Sequence, residues 1–226
     1  MLSKTRGIVI NNIKYGETSI IIKIYTEDFG LQTYIENGVH NAKSKNKIAL
    51  FQPLNLLEMV VYFKETGGIM RLSEIRPAIV LHSIPYQFKK TTIGLFLAEI
   101  LYKTLKEESS NPEMFNFLFS SIQWLDNIVE HYENFHLQFL LKFARYLGFD
   151  PQSATDLLDQ IGRITSSSQL EYNALNELIK NNYDENVIIS TSIRRDILEK
   201  ILQFYRFQIE NFNEIKSLAI LREILN

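Results

Sequence analysis

Glu17-Thr18-Ser19-Ile20-Ile21-Ile22-Lys23-Ile24-Tyr25-Thr26-Glu27-Asp28-Phe29-Gly30 is the stretch on which the fold turns. Ile20, Ile22 and Ile24 fall on one face of an extended chain, and Ile21, Lys23 and Tyr25 on the other. That period of two, carried by β-branched residues, predicts a strand from Glu17 to Thr26, and Glu27-Asp28-Phe29-Gly30 supplies the turn that ends it. Upstream, Arg6 to Lys14 alternates in the same way and stops at Tyr15-Gly16. Downstream, Leu31 to Glu36 resumes the pattern until Asn37-Gly38 breaks it. A polar connection over Asn41 to Asn46 follows, then Gln52-Pro53 leads into Leu54 to Glu65, and Thr66-Gly67-Gly68 turns the chain into Ile69 to Arg76. Five short strands with a longer link after the third predict a small closed barrel of the OB type over residues 1–80.

Beyond Pro77 and Pro85 the apolar period lengthens to that of a helix. Helices are predicted from Tyr86 to Lys103, from Glu113 to Val129 with Asn111 as cap and Pro112 as first residue, and from Phe135 to Leu147, where Gly148-Phe149-Asp150-Pro151 stops the run. Gln169 to Lys180 reads as helical after Ser166-Ser167-Ser168, while the rest of 152–190 carries no regular pattern. Thr191-Ser192 is expected to cap a helix from Ile193 to Glu210, and Asn213 a last one ending at Ile224. The predicted fold class is α+β in mostly separate parts, an N-terminal OB-fold barrel over residues 1–80 followed by an all-helical bundle over residues 81–226.

The chain has 226 residues, 46% of them hydrophobic, enough apolar material for one or two cores and too much for a disordered protein. It contains no cysteine, which removes disulfides, zinc–thiolate sites and a cysteine nucleophile. Gly67-Gly68 runs into Ile69-Met70 with no Lys-Ser/Thr behind it, so no phosphate-binding loop is present. His131 and His136 stand five apart where one helical face needs three or four, and His40 and His82 have no Ser-centred motif to serve. The sequence therefore predicts neither a catalytic centre nor a metal or other cofactor. Met1-Leu2-Ser3-Lys4-Thr5-Arg6 has no apolar run behind its charges and no stretch reaches about 18 apolar residues, which predicts a soluble, unexported chain.

Net charge is −2, but residues 1–80 hold ten Lys and Arg against seven Asp and Glu, leaving fourteen against nineteen in the remainder. The first part is thus +3 and the second −5. Lys43, Lys45 and Lys47 sit in an acid-free polar connector with Asn41, Ser44 and Asn46 as hydrogen-bonding neighbours, beside a sheet face expected to carry Tyr25, Tyr34 and Tyr62. Ammonium groups of this kind meet phosphates and aromatic faces meet bases, so Lys43, Lys45 and Lys47 with Arg6, Lys23 and Tyr34 are the expected nucleic-acid-binding residues. A solubilising loop and packed tyrosines would have the same composition. Between Ile193 and Asn226, Arg194, Arg195, Lys200, Arg206, Lys216 and Arg222 lie among Phe204, Phe207 and Phe212. Bundle core and a peptide groove draw on the same residue types.

Gly7-Ile8-Val9, Tyr15-Gly16-Glu17-Thr18-Ser19, Tyr25-Thr26-Glu27-Asp28-Phe29-Gly30, and Asn37-Gly38-Val39-His40-Asn41-Ala42-Lys43-Ser44 followed by Gln52-Pro53-Leu54 resemble the N-terminal barrel of the RecO family of bacterial DNA repair proteins. Tyr146-Leu147-Gly148-Phe149-Asp150-Pro151 is similar to that family's helical domain, and Lys216-Ser217-Leu218 with Leu221-Arg222-Glu223-Ile224-Leu225 to its C-terminal helix. The resemblance implies a cytoplasmic, nucleoid-associated recombination mediator without catalytic turnover. Such a protein binds single- and double-stranded DNA, anneals complementary strands, and with RecR assists RecA loading onto strands coated by single-stranded DNA-binding protein. It further implies capture of that protein's acidic C-terminal tail by the helical domain, for which Arg206, beside Tyr205 and Phe207, and Lys216 are the expected cations. Many members carry a four-cysteine zinc module after the Leu-Gly-Phe motif, whereas Gln152 to Ile189 has no cysteine, and the 38–47 loop is less arginine-rich than is common. An OB-plus-helix adaptor for RNA or for proteins would share the same order of elements, and a nucleic-acid hydrolase is the enzymatic alternative.

Overall fold

The structure, a computed structural model, describes residues 2–39, 47–64, 66–106, 109–162, 168–212 and 214–225. Five strands, β1 (Leu2–Tyr15), β2 (Ser19–Thr26), β3 (Gly30–Glu36), β4 (Leu56–Tyr62) and β5 (Ile69–Ile79), close into a barrel in the order β1-β2-β3-β5-β4. All neighbours are antiparallel except β3 and β5, which run parallel through Thr33–Ile69, Tyr34–Met70 and Ile35–Arg71. This is the OB order, and it matches the expected fold class.

Strand β1 is long enough to pair twice, with β4 through Leu2 to Ile8 and with β2 through Gly7 to Tyr15. The exchange of partners is centred on Gly7, which faces Thr26 on one side and Leu57 on the other. A register shift between Val9 and Asn11 then bends the strand, as a bulge does. The strand can wrap this tightly only because Gly7 lacks a Cβ. One placed there would lie 2.6 Å from both Ile24 Cγ2 and Met59 Cε. Gly7→Ala is accordingly expected to destabilise the protein by about 1–3 kcal/mol through overpacking of the barrel wall, read as a lower midpoint in urea.

The interior is filled by the face the alternation predicts, with Ile20, Ile22 and Ile24 meeting Val9, Leu57, Met59, Val61 and Met70. A 3-10 turn over Ile48–Phe51 adds Phe51, held in place because Asn12 donates to the Phe51 carbonyl (2.8 Å) and Asn55 to that of Ala49 (2.7 Å). Leu54 takes a left-handed conformation (φ 68°) and is buried, its methyl 3.4 Å from where a Cβ on Gly94 would stand.

Seven helices follow among the described residues: α1 (Phe88–Thr104), α2 (Pro112–Asn127), α3 (Phe135–Tyr146), α4 (Ala154–Gln160), α5 (Gln169–Lys180), α6 (Thr191–Gln208) and α7 (Leu218–Ile224). The secondary structure changes at Ile79, close to residue 80, but the chain divides into compact units at Met1–Asp126 and Asn127–Asn226. Helix α1 packs on β1, and α2 brings Phe115 against Tyr25 (ring centroids 6.3 Å apart), so both belong with the barrel.

In the second unit α3 supplies Phe135, Phe139 and Phe143, and α6 supplies Ile201, Phe204 and Tyr205, whose hydroxyl donates to the Leu140 carbonyl at 2.7 Å. The segment that lacks zinc ligands is built from Leu157, Ile161, Leu175 and Leu178, all buried, with Leu158 half-buried and Leu170 exposed. A cysteine zinc module does not fit this stretch. His131 is exposed and His136 buried, so the two share no site. Burial, reinforced by Arg194, pushes the His136 pKa down to about 3 and keeps the ring neutral.

Candidate nucleic-acid interface

Along β2 and β3 the outward positions are Lys23 and Leu31 to Ile35 in steps of two, with Lys23 directly opposite Thr33. The last turn of α1 and the residues after it stand beside this outer face. Lys23, Leu31 and Thr33 line a groove together with Tyr102, Lys103, Leu105 and Lys106. The Lys23 ammonium lies 5.0 Å from the centroid of the Tyr102 ring. Among the described residues three cations and no acid line this groove, on the strand pair that OB folds use for extended ligands. Ammonium groups gathered in such a concave strip attract a polyanion.

A larger concavity lies on the outer face of β1, β4 and β5, lined by Lys4, Arg6 and Arg76 but also by Glu27, Asp28, Glu58 and Glu74. Its charges cancel among themselves. Arg6 makes a two-pronged pair with Glu27, Nε to Oε2 at 2.7 Å and Nη2 to Oε1 at 2.6 Å, and Arg76 Nε donates to Glu58 at 2.8 Å. The hydrogen bonds from Arg6 hold the Glu27 carboxyl below the usual carboxylate range, against the effect of its partial burial. The Arg6 guanidinium also sits 5.2 Å and 4.9 Å from the ring centroids of Phe115 and Phe119. Arg6, one of the expected nucleic-acid-binding residues, thus stands as a strut between β1 and α2 with its donors turned to Glu27.

Of the other expected residues, Lys23 is half-exposed in the lysine-lined groove. Lys47 donates to Glu36 Oε1 at 2.5 Å and is committed to that pair. Lys43 and Lys45 lie outside the described residues. Tyr34 requires a correction: it pairs with Ile22 across the ladder, therefore shares the inward face, and is 0% exposed. Burial pushes its hydroxyl pKa up, and the ring cannot stack on a base from outside. Tyr25 points outward as expected but is only 2% exposed because Phe115 covers it, which leaves Tyr62 as the exposed member of the expected trio. Tyr102, Lys103 and Lys106 were not among the expected residues. The signal available was a lysine pair three apart at the end of a helix, which periodicity files under solvated face.

In the second unit, Arg206 and Phe207 are exposed in the last turn of α6, and Lys216 is exposed ahead of α7. A narrow cleft with an apolar floor and arginine rim occurs between α6 and α7, where Arg194, Arg195 and Arg222 surround Leu198, Leu221 and Leu225. Arg195 donates to the Arg222 carbonyl at 3.3 Å, Arg194 to that of Leu225 at 3.4 Å, and Arg222 pairs with Glu199. These cations complement the C-terminal end of α7.

Comparison with known proteins agrees with this architecture. Residues 1–78 match the family model described as recombination protein O N terminal, and residues 85–157 the one described as recombination protein O C terminal. The chain is 37% identical over 239 aligned positions to the DNA repair protein RecO of Flavobacterium psychrophilum, with both chains covered in full. The corresponding proteins of Flavobacterium johnsoniae and Bacteroides fragilis are 34% and 33% identical, again over the whole of both chains.

Proposed function

The chain belongs to the RecO family of DNA repair proteins, and from that premise we propose that it acts in recombinational repair as a DNA-binding mediator without catalytic turnover. The observation that supports this most is the groove in which Lys23, Lys103 and Lys106 gather, with no acid among its described lining residues, on the β2–β3 face of an OB barrel. A strand laid along it meets cations on its phosphates, which lowers the repulsion that a complementary strand meets in annealing. In this reading the protein works in the cytoplasm on single- and double-stranded DNA at the nucleoid, and with RecR assists loading of RecA onto strands coated by single-stranded DNA-binding protein. Among the described residues no helix is long and apolar enough to cross a membrane.

The test is binding of a labelled single strand across a salt series. Log K is expected to fall linearly with log salt by about 0.7 for each phosphate contacted. DNA should compete at least as well as RNA of the same sequence, and no cleavage should appear with added divalent metal. Absence of binding at low salt would leave a protein-interaction module in its place.

Capture of the acidic partner tail is proposed for the second unit, with Arg206 and Lys216 as cations and exposed Phe207 as the apolar neighbour. Reversing both charges should weaken binding of a tail peptide on the order of tenfold or more by fluorescence anisotropy while single-strand binding persists. Undiminished peptide binding by that variant, with loss on Arg195→Glu, would move the seat to the cleft between α6 and α7.

A further inference from the structure

We propose that Tyr102, contributed by α1 and not by the barrel, is the platform on which this groove stacks an unpaired base, so that the groove selects single strands over duplex. The inference rests on the DNA-binding reading above and deepens it. Lysines alone do not discriminate in this way, because ammonium groups answer to phosphate charge, which both forms of DNA carry. Selection for single strands needs a group that engages a base face, and a base shows its face only when it is unstacked.

The barrel does not offer that group from the strands that floor the groove. Tyr34 is turned into the core and Tyr25 is covered by Phe115. Tyr102 remains 43% exposed although Lys23 approaches its ring, and it lines the groove alongside Lys103 and Lys106. Its backbone is fixed from behind. Ile100 and Leu101 on either side of the helix are fully buried, and the Thr104 hydroxyl donates to the Ile100 carbonyl at 2.9 Å. A ring on a rigid helical turn loses little freedom when a base settles on it, and the neighbouring ammonium groups stand where the phosphates of the same strand pass.

Three substrates and two variants test this. Tyr102→Ala should lower affinity for a single strand about tenfold, leave duplex affinity unchanged, and leave the slope of log K against log salt as it was, since no phosphate contact is removed. Tyr102→Phe, which keeps the ring, should bind within about twofold of the native protein. Independently of any variant, the native protein should lose about tenfold on a strand whose central nucleotides are abasic, because phosphates remain and faces do not. Equal losses on single strand and duplex, or undiminished binding of the abasic strand, would overturn the proposal. A native protein that binds DNA with the expected salt dependence while Tyr102→Ala matches it sinks the stacking role alone. A native protein that binds no DNA sinks the functional reading with it.

Discussion

Asp126→Ala is expected to destabilise the protein by about 3–5 kcal/mol, lowering the thermal midpoint by roughly 10 °C or more. Asp126 closes α2 and is 7% exposed; its Oδ2 accepts from the His82 backbone N–H and its Oδ1 from those of Ser83 and Ile84, each at 2.8 Å. The turn so held leads directly into α1, and in the same knot the Lys90 ammonium, 1% exposed, donates to Ser83 Oγ at 2.7 Å and to the Asp126 carbonyl at 3.0 Å. Alanine would orphan three backbone donors and leave a buried cation without its counter-charge. The paired variant Asp126→Ala/Lys90→Met should recover part of the loss, and no recovery would show that charge pairing plays no part. Burial pushes the Asp126 carboxyl up, but the hydrogen bonds from His82, Ile84 and Ser83 outweigh it and hold the pKa below the ordinary value. A depressed folded pKa means that the contribution is complete above the unfolded value of about 3.9 and fades as pH falls through the folded one. The native protein should therefore lose stability below about pH 4 more steeply than Asp126→Ala.

The barrel was legible because Ile20, Ile22 and Ile24 of β2 alternate inward as β3 does opposite them, and its turns carry glycines in the left-handed region, Gly30 at φ 65° and Gly38 at φ 71°. The Asn111–Pro112 start of α2 was equally plain, and Asn111 Oδ1 indeed accepts from the Met114 N–H at 3.0 Å. Helix α4 was missed because seven residues hold too few turns to show a period, although Ser153 caps it from the Asp156 N–H. At α6 the cap is Ser190, one residue ahead of the expected Thr191-Ser192, and α7 begins at Leu218; Asn213, the cap expected for it, lies outside the described residues. The site was harder to read for a physical reason. Alternation says which side of a strand a residue takes only once the ladder is known, and Tyr34 was misplaced because its partner Ile22 was not. Nor can a sequence say which exposed face a helix will cover, as α2 covers Tyr25. Ion pairs such as Arg6 with Glu27 and Lys47 with Glu36 join residues far apart in sequence, and they withdraw cations that composition alone counts as available. Lys23 meets Lys103 and Lys106 across the same kind of distance, so the groove exists only in the folded chain.

Joint replacement of Lys23, Lys103 and Lys106 by glutamine should lower single-strand affinity on the order of 10²-fold at about 50 mM salt. Three phosphate contacts on a single strand release about two counterions, so the slope of log K against log salt should flatten by about 2. The same arithmetic makes the loss shrink as salt rises and nearly vanish close to 1 M, where displaced counterions no longer favour the complex. That convergence separates an electrostatic role from damage to the fold, which would weaken binding at every salt concentration. Loss of the Lys23 contact with the Tyr102 ring adds a salt-insensitive part, but an exposed cation–π contact is worth only about 0.5–1 kcal/mol, less than the charge effect at low salt. Arg76→Gln is the control: it also removes a barrel cation, but one paired with Glu58 in a groove holding four acids, and its slope should match that of the native protein. If the triple variant kept the native slope, or if Arg76→Gln flattened it equally, the nucleic acid would have to run over the β1–β4–β5 face and not along the groove beside α1.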